Sequence, residues 1–155
     1  MDESTATHVA KTIGAMFREV HDQFRELVEG LDVDALNWAP TDGANPIAVL
    51  ITHTLGSESE MLQALRLITT HRNRDSEFVG RGASAADLIA MIERANRELA
   101  EHTSGLTADD LTSMRPRGER PPKPGLEWLL GNYGHAREHL AQVELTQQLY
   151  EATHK

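Results

Sequence analysis

Apolar residues recur every three or four positions from the start of the chain: Val9, Ile13, Met16, Val20, Phe24, Leu27 and Leu31. This is one narrow stripe on a helix. Ser4 or Thr5 is placed to cap its start and Gly30 to end it. Asp32 to Trp38 offers one or two further turns before Pro40, Asp42 and Gly43 break the chain. Asn45-Pro46 reads as an N-cap followed by proline at the first helical position. It opens a second helix near 46–70, with Ile47, Leu50, Ile51, Met61, Leu62, Leu65 and Ile68 on one face.

Residues 71–83 are charged, are broken by Asn73, Gly80 and Gly82, and read as a surface crossing. Ser84 and Asp87 resemble a capping box. Leu88, Met91, Ile92, Ala95 and Leu99 then stripe a third helix that ends near Gly105. Met114 to Gly125 holds four of the six prolines, a density that predicts no regular element. The last helix runs from about Leu126 to Ala152, with Trp128, Asn132, His135, His139, Gln142, Val143, Thr146 and Tyr150 on its inward seam. Four long helices without a strand predict an all-α fold, an antiparallel four-helix bundle in a single domain over 1–155. The connection lengths allow up-down-up-down order or a crossover. One internal echo, Gly30-Leu31-Asp32-Val33-Asp34-Ala35-Leu36 against Gly105-Leu106-Thr107-Ala108-Asp109-Asp110-Leu111, divides the chain into two helix pairs and matches His53 to His135.

Composition narrows the chemistry. A formal net charge of -9 opposes contact with phosphate backbones, so no nucleic-acid partner is expected. With no cysteine, any metal must be held by imidazole, carboxylate or water. No apolar run approaches a membrane span, and the polar, acidic N-terminus has no leader pattern, so a cytoplasmic protein is expected.

Histidine is the candidate chemistry. His8, His21, His71, His102 and His154 lie at termini, in a loop, at a helix end or at a stripe edge, and carry no expected role. His135 and His139 are one helical turn apart, so two imidazoles on one inward face can converge on a single ion. The same pair can equally be core histidines satisfied by neighbouring polar groups. His53 lies on the polar flank of the second helix, from which it can supply a third imidazole or equally face water, with Ser57 one turn on and Glu60 two turns on. Three neutral imidazoles leave a coordination position open, as catalytic sites do. Gln142 is a candidate outer partner of His139, and Glu60 a candidate near His53, unless it is an ordinary solvated charge. His135-Ala136-Arg137-Glu138-His139 also spells H-x-x-E-H, but the sixteen residues after His139 cannot supply the rest of such a peptidase.

Two stretches carry a resemblance to a family. The first is Leu36-Asn37-Trp38-Ala39-Pro40, Ala44-Asn45-Pro46-Ile47-Ala48-Val49-Leu50, and His53 followed by Gly56-Ser57-Glu58. The second is His135-Ala136-Arg137-Glu138-His139-Leu140-Ala141-Gln142. Together they resemble the DinB-like superfamily of small bacterial four-helix proteins, over nearly the whole chain. The resemblance implies a divalent metal, often nickel or zinc, on one histidine of the second helix and two of the fourth, here His53, His135 and His139. It implies a homodimer, and a relation to transferases and isomerases that use low-molecular-weight thiols such as mycothiol or bacillithiol. Proline stands at position 46, where relatives often have serine.

The expected function is therefore a metal-dependent enzyme on a small-molecule substrate, a thiol S-transferase or a hydrolase. The alternative is a non-enzymatic bundle that binds metal or ligand. The basic segment Arg115 to Lys123 is a candidate contact for an anionic substrate, or an ordinary solvated loop.

Overall fold

The computed structural model describes residues 1–79 and 82–154. Gly80, one of the expected chain breakers, lies outside the described residues. The elements are α1 (Glu3–Val28), α2 (Val33–Asn37), α3 (Ile47–Leu65), α4 (Arg74–Val79), α5 (Ala85–Ser104), α6 (Ala108–Thr112), β1 (Met114–Arg117), β2 (Arg120–Pro124) and α7 (Gly125–Thr153). Four long helices form the bundle. α1 and α3 each pack against both α5 and α7. α1 begins beside α6, where Glu3 accepts from the Ala108 N–H, and α3 ends at β1, where Arg115 donates to the Leu65 carbonyl. These two helices therefore run in opposite directions. α5 runs against α1, with His21 on Asn96 and Arg25 on Glu93. α7 runs against α3, with Ser57 on Asn132 and His53 on His135. The 66–84 connection is a crossover that returns the chain to the end where α3 began, and Asn37 donates there to the Ala83 carbonyl. The internal echo corresponds to α2 and α6, two single-turn helices whose N-caps Asp32 and Thr107 each accept from the third residue of the helix.

The core is aliphatic with two phenylalanines, Phe17 and Phe24, both fully buried. Phe17 and Val28 are buried where Met16 is only partly so, which turns the inward face of α1 slightly from the expected stripe. Asp2 caps α1, accepting from Thr5 N–H at 2.8 Å, in place of the expected Ser4 or Thr5. Pro46 is itself the cap residue of α3, and α3 stops at Leu65, five residues short of the expected end. The stop is a Schellman closure: Ile68 N–H reaches the Gln63 carbonyl and Leu67 N–H the Ala64 carbonyl. Leu67 takes φ 55, a left-handed position that suits glycine, and Ile68 turns out to solvent. Leu67→Gly is therefore expected to stabilise the fold by about 0.5–1 kcal/mol in urea denaturation. A loss of stability would mean that the contacts of Leu67 outweigh its backbone strain.

Two corrections concern the connections. The 71–83 crossing contains a helix, α4. The proline-rich segment forms an antiparallel ribbon, with Met114 opposite Pro124, Arg115 opposite Lys123 and Arg117 opposite Arg120. Both strands of a two-stranded ribbon are edge strands, where proline's missing N–H is tolerated. A bulge between Arg115 and Arg117 and a positive φ at Gly118 shape the hairpin. Gly125 opens α7 against the Asp110 carbonyl, a spot that any Cβ would overlap. No helix among the described residues is long and apolar enough to cross a membrane.

Candidate metal centre

α3 and α7 face each other at mid-length, and this contact brings His53, His135 and His139 together. Their potential ligand nitrogens all lie within 4.8 Å of one another. His53 is buried and the other two are half-buried. The Nε2 atoms of His53 and His135 are 3.2 Å apart. That separation matches two nitrogens on one tetrahedral ion with bonds of about 2.0–2.1 Å.

Tautomers follow from the outer partners. His53 Nδ1–H donates to Glu77 Oε2 at 3.0 Å, which leaves the Nε2 lone pair facing the cluster. His139 Nδ1–H donates to Gln142 Oε1 at 2.8 Å, with the same consequence. His139 Nε2 is buried and has no hydrogen-bond partner among the described residues. A buried nitrogen with a free lone pair is costly unless something electrophilic meets it. A divalent cation fits this donor set: three imidazoles, two with the tautomer fixed by an outer acceptor, and one orphaned nitrogen. Two of the rings, His53 and His135, also resist protonation. Burial, reinforced by repulsion from His139 and His53, lowers the His135 pKa to about 4. Burial likewise holds His53 below the ordinary imidazole value, with Arg72 adding to the shift and Glu77 opposing it.

The outer partners are only partly those expected. Gln142 sits on His139. Glu60 does not reach a histidine; its Oε2 lies 3.0 Å from Arg117 Nε and 3.3 Å from Arg72 Nη1. The carboxylate at His53 is Glu77, which α4 brings in from the presumed surface crossing. Arg72 clamps Glu77 with two charge-assisted bonds of 2.7 and 2.6 Å. Gly56 makes room for it, because a Cβ there would overlap the Glu77 carboxylate. Nothing local in the 71–83 segment marks Glu77 as a histidine partner. Gly56, one turn from His53 inside a buried helix, is the nearest signal.

Beside the histidines lies a cleft of ≈ 290 Å³, lined by His53, His135, Ser57, Asn132 and Trp128 together with basic side chains. The basic segment is not an ordinary solvated loop. Arg115 and Arg117 are each only 5% exposed. Arg115 is structural, bound to the Leu65 carbonyl, Asp109 and Asp110. Arg117 enters the cleft wall and donates to the Ser57 carbonyl and hydroxyl at 2.7 and 2.8 Å. Asn132 also donates to Ser57 Oγ, at 2.9 Å. Both lone pairs of Ser57 Oγ are thus taken, and its proton remains free to donate. Trp128 closes the floor, with Nε1–H on the Arg115 carbonyl and the cations of Arg117 and Lys123 each 5.5 Å from its ring.

Known proteins share this architecture. A conserved protein from Enterococcus faecalis matches with a TM-score of 0.74 at 14% identity, over 90% of this chain and 95% of that one. A DinB-like protein from Bacillus cereus matches at 0.69 with 17% identity, over 85% and 86%. A DinB-like protein from Bacillus subtilis matches at 0.69 with 18% identity, over 93% of each chain. No curated protein matches the sequence. The family model of the DinB superfamily matches residues 16–143, which take in the histidine cluster, all of α3 and α5 and part of α1 and α7, and the chain belongs to that superfamily.

Proposed function

We propose that the protein is a divalent-metal-dependent enzyme acting on a small molecule, with His53, His135 and His139 as the metal ligands. The observation that carries this reading is the buried Nε2 of His139, without a partner among the described residues, beside the paired Nε2 atoms of His53 and His135, two histidines that line an accessible cleft. Nickel or zinc suits three imidazoles. Such an ion would act as a Lewis acid and lower the pKa of a thiol or water bound to it. The protein's own contribution is positional. Glu77 and Gln142 fix two ring orientations, and Ser57 keeps a hydroxyl proton available to a substrate oxygen in the cleft.

Transfer of a low-molecular-weight thiol is the first reaction to test and hydrolysis the second. The metal-loaded protein is incubated with mycothiol or bacillithiol and an electrophile, and thioether formation is followed. Turnover that disappears in His135→Ala supports the reading. Zinc- and nickel-loaded protein with neither thiol transfer nor ester or amide hydrolysis would leave the non-enzymatic metal-binding bundle in its place. Glu77→Gln is expected to weaken metal binding about 10–100-fold in a chelator competition titration. An unchanged affinity would remove Glu77 from the centre.

A homodimer belongs to the same proposal. Leu130 and Leu145 on α7, 52% and 55% exposed, offer apolar surface to a second copy. Sedimentation of the native chain against Leu145→Glu checks it, with a monomeric native chain as the contrary outcome.

A further inference from the structure

We infer that the cleft beside the histidines contains a built oxyanion subsite, which takes the terminal carboxylate or phosphate of the small molecule handled there. That this anion belongs to a substrate rests on the metal-site reading of the histidines; the anion binding itself rests on the arginines.

The first observation is crowding. Three guanidiniums converge on one carboxylate oxygen, Glu60 Oε2: Arg117 at 3.0 Å, Arg72 at 3.3 Å and Arg120 at 3.8 Å. The side chains of Arg72 and Arg117 are only 9% and 5% exposed. Buried cations are expensive unless matched by counter-charge, and here one acid is divided among three bases. The second acid, Glu77, is already shared between Arg72 and His53.

The second observation is unspent hydrogen-bonding capacity. A guanidinium carries five N–H donors. Arg117 uses Nε on Glu60 and Nη2 on Ser57, leaving both N–H groups of Nη1 without a partner among the described residues. Arg74 stacks on Phe78, 5.1 Å from the ring centroid, and pairs with no carboxylate among the described residues. The free proton of Ser57 adds a neutral donor to the same wall. Fixed N–H forks beside a hydroxyl are the arrangement that recognises carboxylate and phosphate.

The third observation is charge balance. Arg72, Arg74, Arg117, Arg120 and Lys123 line the cleft. Against them stand Glu60, Glu77 and Glu127. Five cations and three carboxylates leave two positive charges uncompensated, in a chain whose formal net charge is -9. The concentration of positive charge at one cleft is therefore local and runs against the protein's overall field. A volume of ≈ 290 Å³ restricts the ligand to a small metabolite with the anion at one end and its reacting group toward the histidines.

The test is calorimetric titration of chelator-stripped protein, separately with inorganic phosphate and with succinate, at low salt. The stripped state keeps the anion from reporting on a metal. Saturable binding of at least one anion is expected, weakened about tenfold or more in Arg74→Gln/Arg120→Gln, whose side chains are exposed and whose loss leaves the core intact. Glu60→Gln, which removes the shared counter-charge, is expected to tighten binding. Circular dichroism confirms that each variant is folded. Absence of saturable binding of both anions, or equal affinity in native and Arg74→Gln/Arg120→Gln protein, overturns the subsite. Zinc is then titrated into the same stripped samples. Anion binding without zinc uptake upholds the subsite and defeats the metal reading, whereas zinc uptake without anion binding does the reverse.

Discussion

Replacing His21 by leucine while Glu58 remains is expected to cost about 3–5 kcal/mol of folding stability, because it strands a charge inside the bundle. His21 is fully buried and Glu58 is 1% exposed. His21 Nε2 lies 2.9 Å from Glu58 Oε2, and Nδ1 lies 2.9 Å from Asn96 Oδ1. An acceptor facing each nitrogen favours the imidazolium, and the pair ties α1 to α3 and α5. Glu58 Oε1 has no partner among the described residues, so within them its carboxylate depends on His21. Removing both members as His21→Leu/Glu58→Met is expected to recover most of the loss, because no uncompensated charge remains. Urea denaturation of the native, single and double variants measures this. A loss below about 1 kcal/mol in His21→Leu would show that the pair is not a buried ion pair.

The pH dependence of the pair has a definite sign. Burial opposes the charge on His21, but the hydrogen bond and attraction of Glu58, with help from Asn96, outweigh it and raise its pKa. A histidine whose pKa is higher folded than unfolded contributes stability in full below about 6.5, and loses it as pH rises through the folded value. The native protein's advantage over His21→Leu/Glu58→Met should therefore shrink as pH rises above about 6.5. His53 and His135 shift the other way, but they are common to both proteins and cancel in the difference. An advantage that grows with pH would contradict the charged pair.

Metal binding should produce the second large effect. Zinc or nickel at a hundred times its Kd is expected to raise stability by about 2.7 kcal/mol, provided the unfolded chain does not bind it. For a chain of this length that is roughly 5–11 °C in melting temperature. His53→Ala and His135→Ala/His139→Ala should melt at the same temperature with and without the ion. Because His135 is held at about 4, it gives up no proton on binding near neutrality, and protons should displace the ion from it only as pH falls toward that value. Equal metal-induced shifts in native and variant proteins would place the ion elsewhere.

The fold was legible because its signals are local. Apolar spacing located α1, α3, α5 and α7, and Ser84-x-x-Asp87 is the capping box it resembles. The misreadings arise where tertiary context overrides local preference. Prolines that forbid an interior strand are accommodated in the 114–124 ribbon, whose strands have no outer neighbours among the described residues. His21 looked like a stripe edge because its partners, Glu58 and Asn96, lie 37 and 75 residues away. The same distance hid the outer parts of the candidate site. Spacing along one helix suggested that His135 and His139 share a face, and Gln142 lies one turn from His139. Glu77 and Arg72 reach His53 only because a crossover folds back over Gly56. Arg117 looked solvated because its counter-charge, Glu60, is 57 residues away.

The central claim is that His53, His135 and His139 hold a divalent ion. Elemental analysis of protein purified without a metal-affinity tag, then incubated with zinc and nickel and freed of excess ion, tests it most directly, beside His53→Ala and His135→Ala/His139→Ala. Close to one ion per native chain and none in the variants is expected, with helicity unchanged by circular dichroism. A native chain that retains no metal, or variants that retain as much as the native protein, would contradict it.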